Sequence, residues 1–260
     1  MRTAIITGGA SGIGRAVAGE LVRRGAHVTV ADLERGDDPR VVSVKLDVTD
    51  PEAVAALVGQ VRREYGRLDL IMNNAGIAIG GATDELTLDH WNRAIDVNLR
   101  GVVHGVHAAY PVMVEQGFGH IVNTASLAGL VPAPLMLPYT TTKHAVVGLS
   151  TALRAEAARH GVRVSVVCPG FTDTPLLDHA NPDLPETEAS KHARSAAIRV
   201  QGRLYPVERL ARDIVRGIAR NQALIVAPAS ARAAWRGVRL SPSSAIRVAA
   251  RAVRGLTGNV

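Results

Sequence analysis

Short runs of β-branched and aliphatic residues alternate along this chain with longer amphipathic stretches, and that alternation restricts the fold more than any other feature. Thr3 to Thr7, His27 to Ala31, Val41 to Lys45, Leu68 to Met72, His120 to Thr124 and Arg163 to Cys168 read as strands, with a seventh at Ala223 to Val226. Helical stretches are expected over 12 to 24, 51 to 65, 87 to 116 and 139 to 160. Strands that are apolar throughout must be covered on both faces. The expected class is therefore α/β, a doubly wound and mostly parallel sheet of seven strands with helices on both sides. No Ser/Gly-rich linker divides residues 1 to 228. They are expected to form one catalytic domain, followed by a basic, helical tail over 229 to 260.

With 47% hydrophobic and 20% charged residues in 260, the chain can bury a full core and is not disordered, collagen-like or disulfide-stapled. Cys168 is the only cysteine, which excludes an internal disulfide. Thr3 opens an apolar segment with no charged leader before it, so the expected compartment is reducing and cytoplasmic. The longest uncharged stretch, 121 to 142, contains Asn123, four threonines, one serine and three prolines, and no transmembrane helix is expected. The net charge of +7 suggests nucleic acid at first sight. Its distribution argues otherwise: beyond Asp213 lie eight arginines and no acid or lysine, and the preceding chain is nearly neutral. No nucleic-acid partner is expected. Arg232, Arg236 and Arg239 recur at i, i+4, i+7, as do Arg247, Arg251 and Arg254, and Ile246, Ala249, Ala250, Val253 and Leu256 add an apolar side. Weak peripheral contact with an anionic membrane and simple docking on the body both remain open for this tail.

Between the first strand and first helix stands Thr7-Gly8-Gly9-Ala10-Ser11-Gly12-Ile13-Gly14. Glycines in that context let the backbone approach a pyrophosphate, and the helix N-terminus offers free N–H groups to it, as in a Rossmann-type domain. The spacing G-x-x-x-G-x-G differs from the commoner G-x-G-x-x-G, and a plain tight turn is the alternative. Asp32, at the end of the second strand, can accept from adenosine ribose hydroxyls and would repel a 2′-phosphate, which favours NAD over NADP. Arg35, three positions on, is the feature that would favour NADP. Tyr139 and Lys143 share one face at i, i+4, where an ammonium would lower the phenol pKa and fit the tyrosine for acid/base work. The choice of lysine is notable in a chain with 27 arginines and three lysines. His104 and His107 are three apart, but no carboxylate or cysteine cluster accompanies them and no metal is expected. Cys168 reads as a buried structural thiol.

Over residues 1 to about 228 the chain resembles the short-chain dehydrogenase/reductase family. The resemblance rests on T-G-x-x-x-G-x-G at Thr7 to Gly14, Asp32, Asp47-Val48, Asn73-Asn74-Ala75-Gly76, Asn98 within Asp96-Val97-Asn98, and Ser126 within Asn123-Thr-Ala-Ser126. It continues through Tyr139-x-x-x-Lys143, thirteen residues after that serine, and Pro169-Gly170 with Thr174 following. The resemblance implies that Gly8, Ser11, Gly12, Ile13, Gly14, Asp32, Asp47, Val48, Asn74, Ala75, Gly76, Pro169, Gly170 and Thr174 bind the dinucleotide, together with Tyr139 and Lys143. It also implies a proton exchange by Tyr139, a hydrogen bond from Ser126 to the substrate oxygen, ribose binding and pKa lowering by Lys143, and a water held by Asn98. A homodimer or homotetramer is implied in the same way. The segment 127 to 138 and a lid over about 176 to 202 would line the substrate site, and their apolar residues suggest an apolar secondary alcohol or ketone. The alternatives are an NADP-dependent carbonyl reductase and a nucleotide-sensing protein on the same fold.

Overall fold

The computed structural model describes residues 2–257, the last four through their backbone alone. The side chains of Arg254 and Leu256, part of the expected tail pattern, lie outside the described residues. Seven strands run β1 (Thr3–Thr7), β2 (His27–Asp32), β3 (Val42–Lys45), β4 (Leu70–Asn73), β5 (Gly119–Thr124), β6 (Val162–Pro169) and β7 (Leu224–Ala227). They form one parallel sheet in the order β3-β2-β1-β4-β5-β6-β7. The helices are α1 (Gly12–Val22), α2 (Pro51–Tyr65), α3 (Leu88–Ile95), α4 (Gly101–Gln116), α5 (Leu137–Ala157), α6 (Glu188–Lys191), α7 (Ala193–Gln201), α8 (Val207–Ala219), α9 (Ala229–Leu240) and α10 (Pro242–Thr257). The expected doubly wound α/β class is the one observed.

Alternate strand residues bury on opposite faces, which is why these strands are apolar throughout. Ala4, Ile6, Leu70 and Met72 pack with Val17 and Leu21 of α1 and with Leu210, Ile214 and Ile218 of α8. Ile5 and Ile71 pack on the other side with Val54, Leu57 and Val61 of α2 and Met113 of α4. The strand order turns back between β1 and β4, and the crevice at their carboxyl ends is where a doubly wound sheet takes a ligand. The glycine-rich turn, Asn74-Ala75-Gly76, Ser126 and Pro169-Gly170 all leave carboxyl ends of strands into that region.

Two elements differ from expectation. The single helix expected over 87 to 116 is α3 and α4 joined by a π turn, Asp96–Arg100, which inserts extra backbone and changes which side chains face inward. Asn98 lies in that turn and is fully buried. The helix α8 was not foreseen, although Leu210, Ala211, Ile214, Val215 and Ile218 mark its buried face.

Under the sheet, His120 Nε2 lies 2.8 Å from Ser165 Oγ, and Ser165 donates its proton to the Gln222 carbonyl at 2.6 Å. The serine oxygen is thus the acceptor and the imidazole the donor. Burial, with the charges of Arg163 and Arg154, holds the His120 pKa down at about 4. The unfolded chain therefore binds a proton that the folded chain refuses between pH 6.5 and 4, so stability rises with pH across that window. The expected loss on acidification through it is about 3 kcal/mol from this group. Urea unfolding at a series of pH values checks this: His120→Gln should flatten the profile between those limits, and an unchanged slope would exclude His120 as its source.

Candidate active site

Local sterics explain the glycines. A Cβ on Gly14 would stand 2.1 Å from the Gly8 carbonyl oxygen, and one on Gly8 would stand 2.7 Å from Ala75 Cα. Gly8 and Gly12 also have φ of +64° and +50°, which other residues adopt with strain. Ser11 occupies the N-cap of α1 and makes no side-chain cap bond, so the first-turn N–H groups of this helix keep their capacity for an anion. Asn74 braces the turn by donating Nδ2 to the Thr7 and Gly8 carbonyls at 3.1 Å each. Thr7 Oγ1 in turn accepts from the backbone N–H of Asn74 and Ala75. Thr174 closes the other side, its side chain 3.4 Å from where a Gly12 Cβ would be. A close-approach cradle with unspent N–H donors fits the pyrophosphate of a dinucleotide.

At the end of β2, Asp32 accepts from Ala10 N at 2.9 Å and from Leu33 N at 2.8 Å, which aims its carboxylate at the glycine-rich turn. The nearby cations are engaged elsewhere. Arg15 pairs with Asp37 at 2.9 Å, Arg40 pairs with Asp38, and Arg35 donates to the Ser43 carbonyl. Asp47 accepts from Thr49 N, and Val48 packs against Gly101 while its carbonyl accepts from His104 Nδ1. That bond gives His104 a structural partner, and no three His, Cys, Asp or Glu among the described residues are grouped to hold a metal.

Helix α5 begins two residues before Tyr139 and carries Tyr139 and Lys143 on its buried side. Tyr139 is 8% exposed and Lys143 3%. Lys143 donates to the Thr124 carbonyl at 3.0 Å, with Nζ 5.5 Å from the centre of the Tyr139 ring. Ser126 Oγ accepts from Ala128 N at 3.1 Å, which leaves its hydroxyl proton to be donated toward Tyr139. Burial pushes the Lys143 pKa down to about 8. Burial also raises the Tyr139 pKa above its usual value, and the Ser126 hydrogen bond works against that rise. The lowering expected from Lys143 is not what the protein alone produces: its ammonium is itself desolvated and turned to Thr124. Cys168 is fully buried nearby, and burial pushes its thiol up to about 12.

Asn98 is a brace. Its amide donates to the Ile77 carbonyl at 3.0 Å and accepts from Ile77 N at 2.8 Å. A Cβ on Gly76 would meet Asn98 Oδ1 at 2.9 Å and Lys143 Nζ at 3.4 Å, so the missing side chain keeps these two groups in one space.

Tyr139 packs with Ile79 and Ala128, and Ala133, Met136, Leu86 and Leu184 surround that cluster. The lid is latched over it by Asn181, which donates to the Gly80 carbonyl and accepts from Gly80 N at 2.9 Å each, and by Thr187, which donates to the same carbonyl. Charged lid residues lie elsewhere: Arg194 grips Asp173 and Asp178, and with Lys191 and Glu186 it lines a separate cavity of about 630 Å³. The structure thus brings Ser126, Tyr139 and Lys143 together, with Gly76 and Asn98 behind them. It sets Pro169-Gly170 at the end of β6, with Gly170 against Gln201. Thr7, Thr124 and Asn181 were not foreseen as site residues. The first two sit inside quoted motifs and could have been, whereas nothing local marks Asn181, 101 residues from its partner.

The family model for short chain dehydrogenases matches residues 2–185. A D-beta-hydroxybutyrate dehydrogenase of Rhizobium meliloti is 34% identical over 199 residues, which cover 72% of this chain and 77% of the relative. Among solved structures, a short-chain dehydrogenase/reductase from Burkholderia phymatum in complex with NAD superposes with a TM-score of 0.80 at 31% identity, covering 90% of this chain and 92% of that one. ElxO with NADP bound has a TM-score of 0.73 at 27% identity over 86% of this chain and 97% of its own.

Proposed function

Because the chain belongs to the short-chain dehydrogenase/reductase family, we propose that it is an NAD(H)-dependent oxidoreductase interconverting an apolar secondary alcohol and its ketone, with Tyr139 as general acid/base. The observation that carries this reading is the buried pair Tyr139 and Lys143 beside the partly buried Ser126, beneath an apolar roof. When bound, NAD supplies the hydride acceptor. The remaining work belongs to the chain. Ser126 donates its hydroxyl proton to the substrate oxygen, and Tyr139 exchanges the proton of that oxygen. Lys143, held by one bond to Thr124, keeps two N–H donors for ribose hydroxyls. Leu184 and Met136 exclude water above them.

The substrate class follows from the lining. Apolar side chains, Ile79, Ala128, Ala133, Met136, Leu86 and Leu184, pack around Tyr139, and the Lys143 ammonium beside its ring is turned to the Thr124 carbonyl, so a carboxylate or phosphate would be desolvated there among apolar groups. The relative named for hydroxybutyrate acts on an anion, and this site is read as apolar in contrast to it. NAD is favoured over NADP because the Asp32 carboxylate at the end of β2 would repel a 2′-phosphate and Arg15, Arg35 and Arg40 are already engaged. Asp32→Ala is expected to reduce the preference for NAD over NADP in kcat/KM by at least about tenfold, since it removes one charge-assisted contact and one repulsion. Kinetics with each cofactor decide it, and an NADP preference in the unaltered protein would refute the assignment.

The setting is read as cytoplasmic, on the strength of a lone buried cysteine; no helix among the described residues is long and apolar enough to cross a membrane. A homodimer or homotetramer completes the reading, with Val103 on α4 left 40% exposed for such a contact.

A further inference from the structure

The outer edge of the sheet carries a feature that the redox chemistry does not use. β7 is the last strand, and beside it α8 and α9 border an open, cleft-like cavity of about 480 Å³. Arg203, Arg216, Arg220 and Arg232 line it, and Asp213 is the one acid among the lining residues. That acid is committed: Oδ2 accepts from the Tyr205 hydroxyl at 2.8 Å and Oδ1 faces Arg216 at 3.4 Å. Arg232 donates Nη1 to the Val226 carbonyl at 2.9 Å, which ties its guanidinium to the edge strand while its other donors stay available. The side chains of Arg203 and Arg220 are exposed and have no protein partner among the described residues.

Four guanidiniums against one carboxylate leave a surplus of three positive charges around one cavity, and charges so placed repel one another. A multiply charged anion removes that repulsion, and the planar fork of arginine matches pairs of phosphate oxygens. We propose that this cavity is a second ligand site, separate from the dinucleotide cradle, that binds a phosphate-bearing anion through Arg203, Arg216, Arg220 and Arg232. None of the residues assigned to the cofactor lines it. Two sources could supply the phosphate: a soluble polyphosphate or phosphate ester, or the headgroup of an anionic lipid. The second source is raised by α10, which packs on α9, adds Arg247 and Arg251, and leaves Ile246 and Val248 59% and 63% exposed.

Calorimetric titration of the full chain with sodium pyrophosphate, in excess NAD so that the glycine-rich turn is occupied, tests the site. Arg203→Gln/Arg220→Gln alters two exposed side chains and spares the fold. One saturable site per chain is expected, bound about a hundredfold more weakly after the double substitution, which removes two charge-assisted donors. Sedimentation with phosphatidylglycerol vesicles then separates the sources. Capture that needs Arg203 and Arg220 assigns the site to a lipid headgroup, and pyrophosphate binding without capture assigns it to a soluble anion. The proposal is overturned if pyrophosphate shows no saturable binding, or if its affinity is the same in the double variant. Vesicle capture that survives the substitution without pyrophosphate binding also overturns it.

Discussion

Tyr139→Phe is expected to lower kcat by about 10²- to 10⁴-fold while leaving the unfolding midpoint close to that of the unaltered protein. The reason lies in what the hydroxyl does and does not hold. The Tyr139 ring packs with Ile79 and Ala128, and phenylalanine preserves that contact. The hydroxyl faces Ser126, not a backbone group that folding depends on. Only proton exchange is lost. The same burial sets a pH dependence: because it favours the neutral phenol, alcohol oxidation, which needs the phenolate, should accelerate as pH rises, and ketone reduction should not. Steady-state kinetics in both directions read this out. Turnover by Tyr139→Phe within a few-fold of the unaltered protein would mean that another group carries the proton.

The second large effect is expected at Gly14. A methyl group there would lie 2.1 Å from the Gly8 carbonyl oxygen, a backbone atom, and 2.7 Å from Asn74 Nδ2, which is held by its bonds to the Thr7 and Gly8 carbonyls. The turn must open to admit it, which separates α1 from β1 and spreads the N–H groups that would meet the pyrophosphate. Gly14→Ala should therefore weaken NAD binding by about a hundredfold or more and destabilise the fold by about 1–3 kcal/mol. Gly148→Ala is the matched control. Gly148 lies inside α5 with open space around it, and alanine there should stabilise by about 0.5–1 kcal/mol. Urea unfolding and a cofactor titration on the two variants would show opposite signs. Equal effects would remove the steric account of the turn.

These effects also mark how far the sequence reaches. Strand positions and their parallel pairing follow from apolar runs too long to be covered on one side only, and β1, β2 and β6 fall within a residue or so of expectation. The site motifs are local strings, so Gly8 to Gly14, Ser126, Tyr139 and Lys143 were all identifiable before any geometry. Other features depend on contacts that no local string contains. The π turn around Asn98 adds a shift finer than helical periodicity can resolve. The rise in the Tyr139 pKa is a consequence of burial, whereas spacing alone suggested a lowering by Lys143. The arginines after Asp213 read as a charged tail, yet Arg216 and Arg220 belong to an amphipathic helix or its end, and Arg232 bonds back to β7. Charge counting along the chain hid both α8 and the cavity it helps to form.

The most direct measurement follows nicotinamide reduction by the purified protein with NAD and a panel of apolar secondary alcohols, beside carboxylated and phosphorylated analogues of the same alcohols. The expected result is turnover of apolar members and little or none of the anionic ones, because the roof of Leu184, Met136 and Ala133 offers a charge no partner. Efficient turnover of the anionic analogues, or no reduction by any alcohol despite measured NAD binding, would contradict the account.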